Sequence, residues 1–491
     1  MTTKKIWISS CIFSLALLLF VLVGTPLVAQ DTSGAANQER FLQLFQYVYN
    51  FIQKNYVDEV DPEVLYEGAI KGMLESIGDP YTSYIDSDSM TSLSLRDTTT
   101  GSFGGVGLSI TKPIESTPEK PAWVEVASPI EDTPGWRAGI QPGDFIISID
   151  GQSTAEISME DVLSRLRGPV GTPVTVQMRR GKALDYSVTL TRALIEVPTV
   201  KYQMMDNGIG YLRIIEFTPL TAERVQDALK HFSDSGYSSL LIDLRNNPGG
   251  LITSVVDVAD AFISSGTIVS TRSRISWENR EFRARQGTTL FTGDKPVVVL
   301  INKGSASAAE ILAGALKDYR LAYLVGETTF GKGSVQQVVE LQNQDAMKIT
   351  MARYYTPSDA NIDKTGIIPD LAVSFPEMTV EEEKALSELL QTSKLSDFVS
   401  GKDTLPDKDI EAFVALLARD YQVEKRVLKR LVLQEFYRTH LSPLYDLEYD
   451  VQLRSAVDVL LSGTVPHLLK STRTVREMQE LEASKEADSV Q

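Results

Sequence analysis

The chain contains a single cysteine, Cys11, in 491 residues. Beyond it there can be no intrachain disulfide and no thiolate metal site, so an exported form would be held together by core burial alone. Histidine is nearly as scarce: His231, His440 and His467, with none between residues 232 and 439. That gap disfavours a Ser-His-Asp triad for chemistry carried inside it, although a fold can bring a distant histidine close. No constellation at metal-ligand spacing and no internal repeat occurs, so neither a metal nor another cofactor is expected. Basic residues are outnumbered, 48 to 65, for a net charge of −17. The chain therefore lacks the clustered Lys and Arg from which nucleic-acid binding draws its affinity.

One apolar run approaches membrane-spanning length. Lys4 and Lys5 precede the stretch Ile6 to Val28, interrupted by Ser9, Ser10, Ser14, Gly24, Thr25 and Pro26, and Ala29 follows. A basic flank, an apolar segment and a small residue form the pattern of a secretory signal peptide. The length also suits an uncleaved anchor, and Leu27 is large for the −3 position of a cleavage site. The expected location is outside the cytoplasm, either periplasmic or anchored to the membrane facing outward, with cleavage left open.

The rest has the composition of a globular protein, 43% hydrophobic and 23% charged, and its length implies two to four domains. After a polar spacer, apolar residues at Phe41, Leu44, Phe45, Val48, Tyr49, Phe51 and Ile52 recur at helical spacing, and Val64–Ile77 forms a second amphipathic run. Gly78-Asp79-Pro80 ends it, and a Ser/Thr/Asp-rich stretch to Thr100 reads as linker. Short β-branched runs follow at Gly105–Ile110, Val124–Ala127, Phe145–Ile149 and Val174–Met178, with helical segments around Trp136–Ala138 and Ser158–Leu166. From Gly208 to about Phe375, strands and helices alternate, which implies βαβ units around a mostly parallel sheet. Residues 378–491 are helix-like and charge-rich, and the last fifteen read as disordered.

Three stretches carry chemistry. In GETTFGKGS, residues 326–334, Gly326, Gly331 and Lys332 imitate a phosphate-binding loop. The residue after the lysine is Gly333 where that loop needs Ser or Thr, and the β-branched run from Ser334 reads as a strand where it needs a helix. In NKGSASAAEILAGAL, residues 302–316, a strand runs through a small-residue turn into a helix. A serine there stands where free N–H groups and the helix dipole favour developing negative charge; the plainer reading is an N-cap, and Ser305 and Ser307 are equal candidates. In LLIDLRNNPGG, residues 240–250, Pro248 and two glycines allow the close approach of N–H groups that an oxyanion hole requires, or make a simple turn. Lysine can replace histidine as the base if burial lowers its pKa from about 10.4 to roughly 7–8. Lys332 between two glycines could turn inward to do so, or lie on a solvated hairpin.

Taken together, the segments NYVDEVDPEVLYEGAIKGMLESIGDPYTSYI, GGVGLSI, AGIQPGDFIISIDG, LRGPVGTPV, LLIDLRNNPGG, NKGSASAAEILAGALKD, VGETTFGKGSVQ and ARYYTPSDANIDKTGIIPD stand in the order found in the carboxyl-terminal processing (tail-specific) serine peptidases, which the chain resembles over about residues 41–375. The resemblance implies a multidomain α+β chain: signal peptide or membrane anchor (1–30), N-terminal helical segment (31–95), β-rich PDZ domain (96–192), α/β ClpP/crotonase-like serine peptidase core (193–376) and C-terminal helical region (377–491). It implies a Ser307–Lys332 dyad oriented by Gln336, with the N–H groups of Ala308 and of Gly250, in preference to Gly249, as the oxyanion hole. The PDZ module would bind the C-terminal tails of protein or peptide substrates at the loop carrying Gly105, Val106, Gly107 and Leu108 and at Ile110, with Val162 and Leu166 opposite. Arg167 would either couple that site to catalysis or form a surface ion pair. Ala309 and Tyr81 depart from the family's usual residues, and neither is expected to touch a catalytic atom. A catalytically inactive tail-binding scaffold and a nucleotide hydrolase are the rivals; homo-oligomerisation stays open.

Overall fold

The computed structural model describes residues 32–86, 100–112, 121–130, 133–140, 143–180, 184–196, 198–291, 293–341, 345–437, 440 and 442–489. The stretch expected to be a signal peptide or membrane anchor lies outside them, as does most of the Ser/Thr/Asp-rich stretch. Two compact units are present, divided after Pro80. The first contains helices α1 (Thr32–Asn55) and α2 (Pro62–Glu75). Asp61 caps α2 by accepting from the Glu63 N–H at 2.9 Å, and Phe41, Leu44 and Phe45 on α1 are exposed.

The second unit begins with β1 (Ser83–Ile85), a strand within the stretch expected to be linker. Next comes a β-rich module. Strand β2 is Ser102–Gly105 and β3 is Leu108–Thr111, so the single run expected from Gly105 is split at Val106 and Gly107. Then follow β4 (Val124–Pro129), α3 (Pro134–Arg137), β5 (Phe145–Ile149), β6 (Gln152–Ser153), α4 (Met159–Leu166), β7 (Pro173–Arg180), β8 (Leu184–Thr191) and β9 (Ala193–Glu196). The order β3-β4-β5-β7-β8 is antiparallel throughout, and β2 pairs separately with β9. Inward residues at alternate positions, Val174, Val176 and Met178, pack with Val162 and Leu166 of α4.

The larger core contains β10 (Val200–Met204), β11 (Ile209–Ile214), α5 (Thr221–Asp234), β12 (Ser239–Asp243), α6 (Ile252–Asp260), β13 (Thr267–Ser273), β14 (Arg280–Arg283), β15 (Val297–Ile301), α7 (Ala308–Asp318), β16 (Tyr323–Gly326), β17 (Ser334–Glu340), β18 (Ala346–Tyr355) and β19 (Leu371–Ala372). One sheet runs β10-β11-β12-β15-β16-β19, parallel from β11 onward. Its central strand β15 is apolar at every position because both faces are covered. Leu240, Ile242, Val297 and Val299 face α5, α6 and α7. Leu241, Val298, Leu300 and Val325 face Leu453, Ala456, Val457 and Leu460. A second sheet runs β1-β18-β13-β14, with β17 also paired to β18.

The tail supplies the helices on that other face. Helices α8 (Val380–Leu390), α9 (Lys394–Val399), α10 (Asp407–Asp420) and α11 (Lys425–Tyr437) share a core of their own. Helices α12 (Val451–Leu461) and α13 (Val465–Ser471) cover the parallel sheet. The final helix, α14 (Val475–Ser489), replaces the expected disorder. Val475 is buried against the core of α7, its N–H donates to Asp318 at 2.7 Å, and Gln479 donates to the Asn361 carbonyl at 2.7 Å. Composition alone pointed to a solvated tail, whereas a few long-range contacts order it.

Candidate active site

The three chemistry-bearing segments leave the C-terminal ends of adjacent parallel strands β12, β15 and β16, the edge at which open α/β sheets gather their functional loops. Reciprocal amide bonds lock the first two loops together. The Asn246 N–H donates to Asn302 Oδ1 at 2.9 Å, and Asn302 Nδ2 donates to Asn246 Oδ1 at 3.0 Å. Ala306 N–H donates to the Asn247 carbonyl at 2.9 Å.

The structure separates the two serines. Ser305 is fully buried; its hydroxyl donates to the Leu244 carbonyl at 2.8 Å and accepts from the Asn302 N–H at 3.0 Å. It is a tie between loops. Ser307 is half-buried and occupies φ 55°, ψ −115° at the N-terminus of α7. A non-glycine residue in that region is strained, and strain at a strand-to-helix turn is how a nucleophile is thrust out of a sheet's edge.

Gly249 lies directly beside it. A Cβ there would come within 2.7 Å of the Ser307 Cβ and 3.0 Å of the Ala308 nitrogen. The Gly249 N–H is already used, donating to Asn247 Oδ1 at 2.9 Å. Among the described residues, the N–H groups of Gly250 and Ala308 have no intramolecular acceptor. Two such donors next to a strained serine make a site for a developing oxyanion.

Glu310, one turn into α7, was not singled out in the sequence although Ser307-Ala308-Ala309-Glu310 has the spacing of a capping box. Its buried carboxylate accepts from the N–H groups of Ser307 at 2.8 Å, Gly331 at 2.7 Å and Lys332 at 2.9 Å, and from the Thr329 hydroxyl at 2.5 Å. Burial pushes its carboxyl above the ordinary value, against the pull of these four donors. One side chain thus fastens the serine turn to the lysine turn.

Lys332 is half-buried at the end of that second turn. Burial pushes its ammonium below the ordinary lysine range, and the charge of Lys348 on β18 acts in the same direction, while Glu310 opposes both. After Gly333 the chain enters β17, so the helix that a phosphate loop requires is absent here. The fully buried Tyr354 hydroxyl donates to the Lys332 carbonyl. Burial raises its pKa well above the usual tyrosine value, and a hydrogen bond with Ser307 opposes the rise.

Gln336 sits on β17, where its amide donates to Ser334 at 2.8 Å and to Thr350 at 3.3 Å. Lys332 is not among its hydrogen-bond partners among the described residues. Tyr81 corrects the expectation made for it: its ring lies 5.3 Å from the Lys332 Nζ. Tyr81 is far from Ser307 and Lys332 in sequence, whereas Lys348 and Tyr354 lie on β18, the strand that follows the lysine's own turn and β17.

In the β-rich module, Gly107 (φ 74°) immediately precedes β3, and Leu108 and Ile110 on that strand are half-buried against the module's core. Gly168 N–H donates to the Gly104 carbonyl at 3.1 Å, and the Arg167 guanidinium lies 4.4 Å over the Phe103 ring, on the same loop. His231 lies beside Tyr202, and His440 stacks on Phe436.

Residues 208–373 match the family model "Peptidase family S41", residues 125–180 a PDZ domain, and residues 25–89 "Activating protease CtpB N-terminal domain". A carboxy-terminal-processing protease of Bartonella bacilliformis is 39% identical over 395 residues, 78% of this chain and 86% of that protein. The carboxy-terminal processing protease CtpA of Bacillus subtilis is 33% identical over 362 residues, 74% of this chain and 75% of that one. Among solved structures, a photosystem II D1 C-terminal processing protease is 30% identical, covering 68% of this chain and 92% of its own, with a TM-score of 0.40.

Proposed function

Starting from the fact that this chain belongs to the carboxy-terminal processing serine proteases of peptidase family S41, we propose that it is exported and cleaves proteins or peptides with a Ser307–Lys332 dyad after its PDZ domain has captured their C-terminal tails. Neutral Lys332 takes the Ser307 hydroxyl proton as the oxygen attacks the scissile carbonyl. The resulting oxyanion is received by the N–H groups of Gly250 and Ala308. Collapse breaks the C–N bond, and the lysine's proton passes to the leaving amine. Water, deprotonated by the same lysine, then hydrolyses the acyl-enzyme.

The observation that carries this reading is the Glu310 carboxylate, which holds the backbones of Ser307 and Lys332 on a single oxygen. The lowered lysine pKa supports the role of base. Tail selection rests on the glycine-bearing loop before β3, the type of N–H nest that binds a terminal carboxylate. Export rests on the basic-then-apolar pattern of Lys4 to Ala29.

Ser307→Ala and Lys332→Ala should each abolish cleavage of a disordered polypeptide with an apolar C-terminus while leaving the circular dichroism spectrum unchanged; full activity in either refutes the dyad. Amidating the substrate's C-terminus should raise KM, and an unchanged KM removes tail selection. Detection of the protein in the cytoplasmic fraction alone would exclude export.

A further inference from the structure

The segment Asp79-Pro80-Tyr81-Thr82-Ser83-Tyr84-Ile85 contains no residue of the dyad, yet from Tyr81 onward it is built into the sheet that holds the lysine. Strand β1 pairs antiparallel with β18, Ser83 opposite Lys348 and Ile85 opposite Ala346. Two side-chain bonds reinforce the pairing: the Thr350 N–H donates to the Thr82 hydroxyl at 3.2 Å, and the Tyr84 hydroxyl donates to Asp345. Thr82 and Ile85, which flank Ser83 and Tyr84, are buried, so the register of the strand is anchored at both ends. Tyr81 is the last residue before this anchored stretch. Its position is therefore set by β18, the same strand that supplies Lys348 and Tyr354 to the surroundings of Lys332. Its half-buried ring presents its face to the Lys332 Nζ at 5.3 Å.

We propose that Tyr81 is a positioning residue for the base, its ring forming the wall that fixes the Lys332 amine and keeps bulk water from it. The inference rests on the Ser307–Lys332 reading above. Gly331 and Gly333 contribute no side chains to hold the lysine stem, and Phe330 is exposed, so the ring has to come from outside the turn. The same wall bears on protonation. Facing Lys332 are Lys348 and the Tyr354 hydroxyl on β18 and Glu310 on α7. Asp363 and the Lys364 backbone pack against the glycines on either side of it. Of these influences burial is the largest and disfavours the ammonium. The ring's negative face attracts the ammonium and so pulls the other way, but at 5.3 Å it is close to the roughly 6 Å limit of that attraction. Excluding water is therefore the dominant effect of the ring.

Two substitutions distinguish this role from a merely structural one, read from the pH profile of kcat/KM on a fluorogenic peptide with an apolar C-terminus. Tyr81→Ala admits water, lets the lysine return toward its ordinary value and moves the acid limb to higher pH by about one unit, with kcat near neutrality falling roughly tenfold and KM little changed. Tyr81→Phe keeps the ring and should retain the acid limb of the natural protein. Thermal unfolding of both variants is recorded alongside. If Tyr81→Ala keeps the original acid limb, or if Tyr81→Phe shifts it as far as alanine does, the inference is overturned. Lys332→Ala in the same assay separates the two levels: activity surviving there refutes the dyad itself, whereas its loss together with an unshifted Tyr81→Ala profile refutes only the role of the ring.

Discussion

Glu310 and Lys332 are joined through the backbone: Oε2 of the carboxylate accepts the Lys332 N–H at 2.9 Å, while the same oxygen accepts the Ser307 N–H at 2.8 Å. The turn of Ser307 and the turn of Lys332 are thereby registered against each other by a residue that needs no contact with substrate.

Glu310→Ala should accordingly be among the most damaging single changes. It leaves three N–H groups and a hydroxyl without their acceptor in a buried site, at a cost of about 1–3 kcal/mol for each group that water cannot reach. Glu310→Gln preserves the volume but turns an N–H₂ group toward donors. Because a displacement of about 1 Å can cost roughly a hundredfold in rate, kcat for the glutamine variant should fall by about that factor even where it folds. Urea denaturation combined with steady-state kinetics checks both.

Ser305→Ala should separate stability from chemistry. Its hydroxyl both donates to Leu244 and accepts from Asn302 inside the protein, so its loss should lower stability by about 1–2 kcal/mol. Cleavage should persist below the lowered melting temperature. A dead but fully stable Ser305→Ala enzyme would contradict the assignment of the two serines.

The pH dependence follows from the direction of the Lys332 shift. Burial, then Lys348, hold its folded value below that of a free lysine. In the proposed dyad the neutral amine is the working form, so activity should disappear as pH falls through the lowered value and be present above it. Between that value and about 10.4 the unfolded chain binds more protons than the folded one, so this residue's contribution to stability rises with pH across the same window. Lys332→Met should remove that part of the pH dependence, as measured by denaturation at a series of pH values.

Removal of the tail should not yield a smaller active core. A chain ending before Asp450 exposes the face of the parallel sheet formed by Leu241, Val298, Leu300 and Val325. It also strips Arg245 of the Asp450 carboxylate at 2.8 Å and of the Gln452 side chain at 3.2 Å. Within the full chain, Leu453→Ala should cost about 2–5 kcal/mol, the range for deleting a buried leucine side chain. Calorimetry of the point variant and light scattering of the truncated chain test the two statements.

The alternating elements from Gly208 onward were legible in the sequence because the central strands carry continuous apolar stretches, Leu240 to Ile242 and Val297 to Ile301, and each helix carries a 3.6-residue period. Both signals are local. The strand after Gly333 was legible for the same reason, and with it the failure of the phosphate-loop reading. What the sequence could not determine depended on residues that meet only after folding. Ser305 and Ser307 have almost the same neighbours along the chain, and only the fold tells them apart, by burying and bonding the first and straining the second. Tyr81 stands next to Pro80 in a polar stretch with no periodicity, yet the pairing of β1 with β18 carries its ring to the lysine. Helix α14 is charge-rich and reads as solvated, but Val475 and Gln479 find partners on the core near α7 and at Asn361. Periodicity records which face of an element is apolar; which distant residue fills that face, or stands over a reactive atom, is decided by the closure of the tertiary structure.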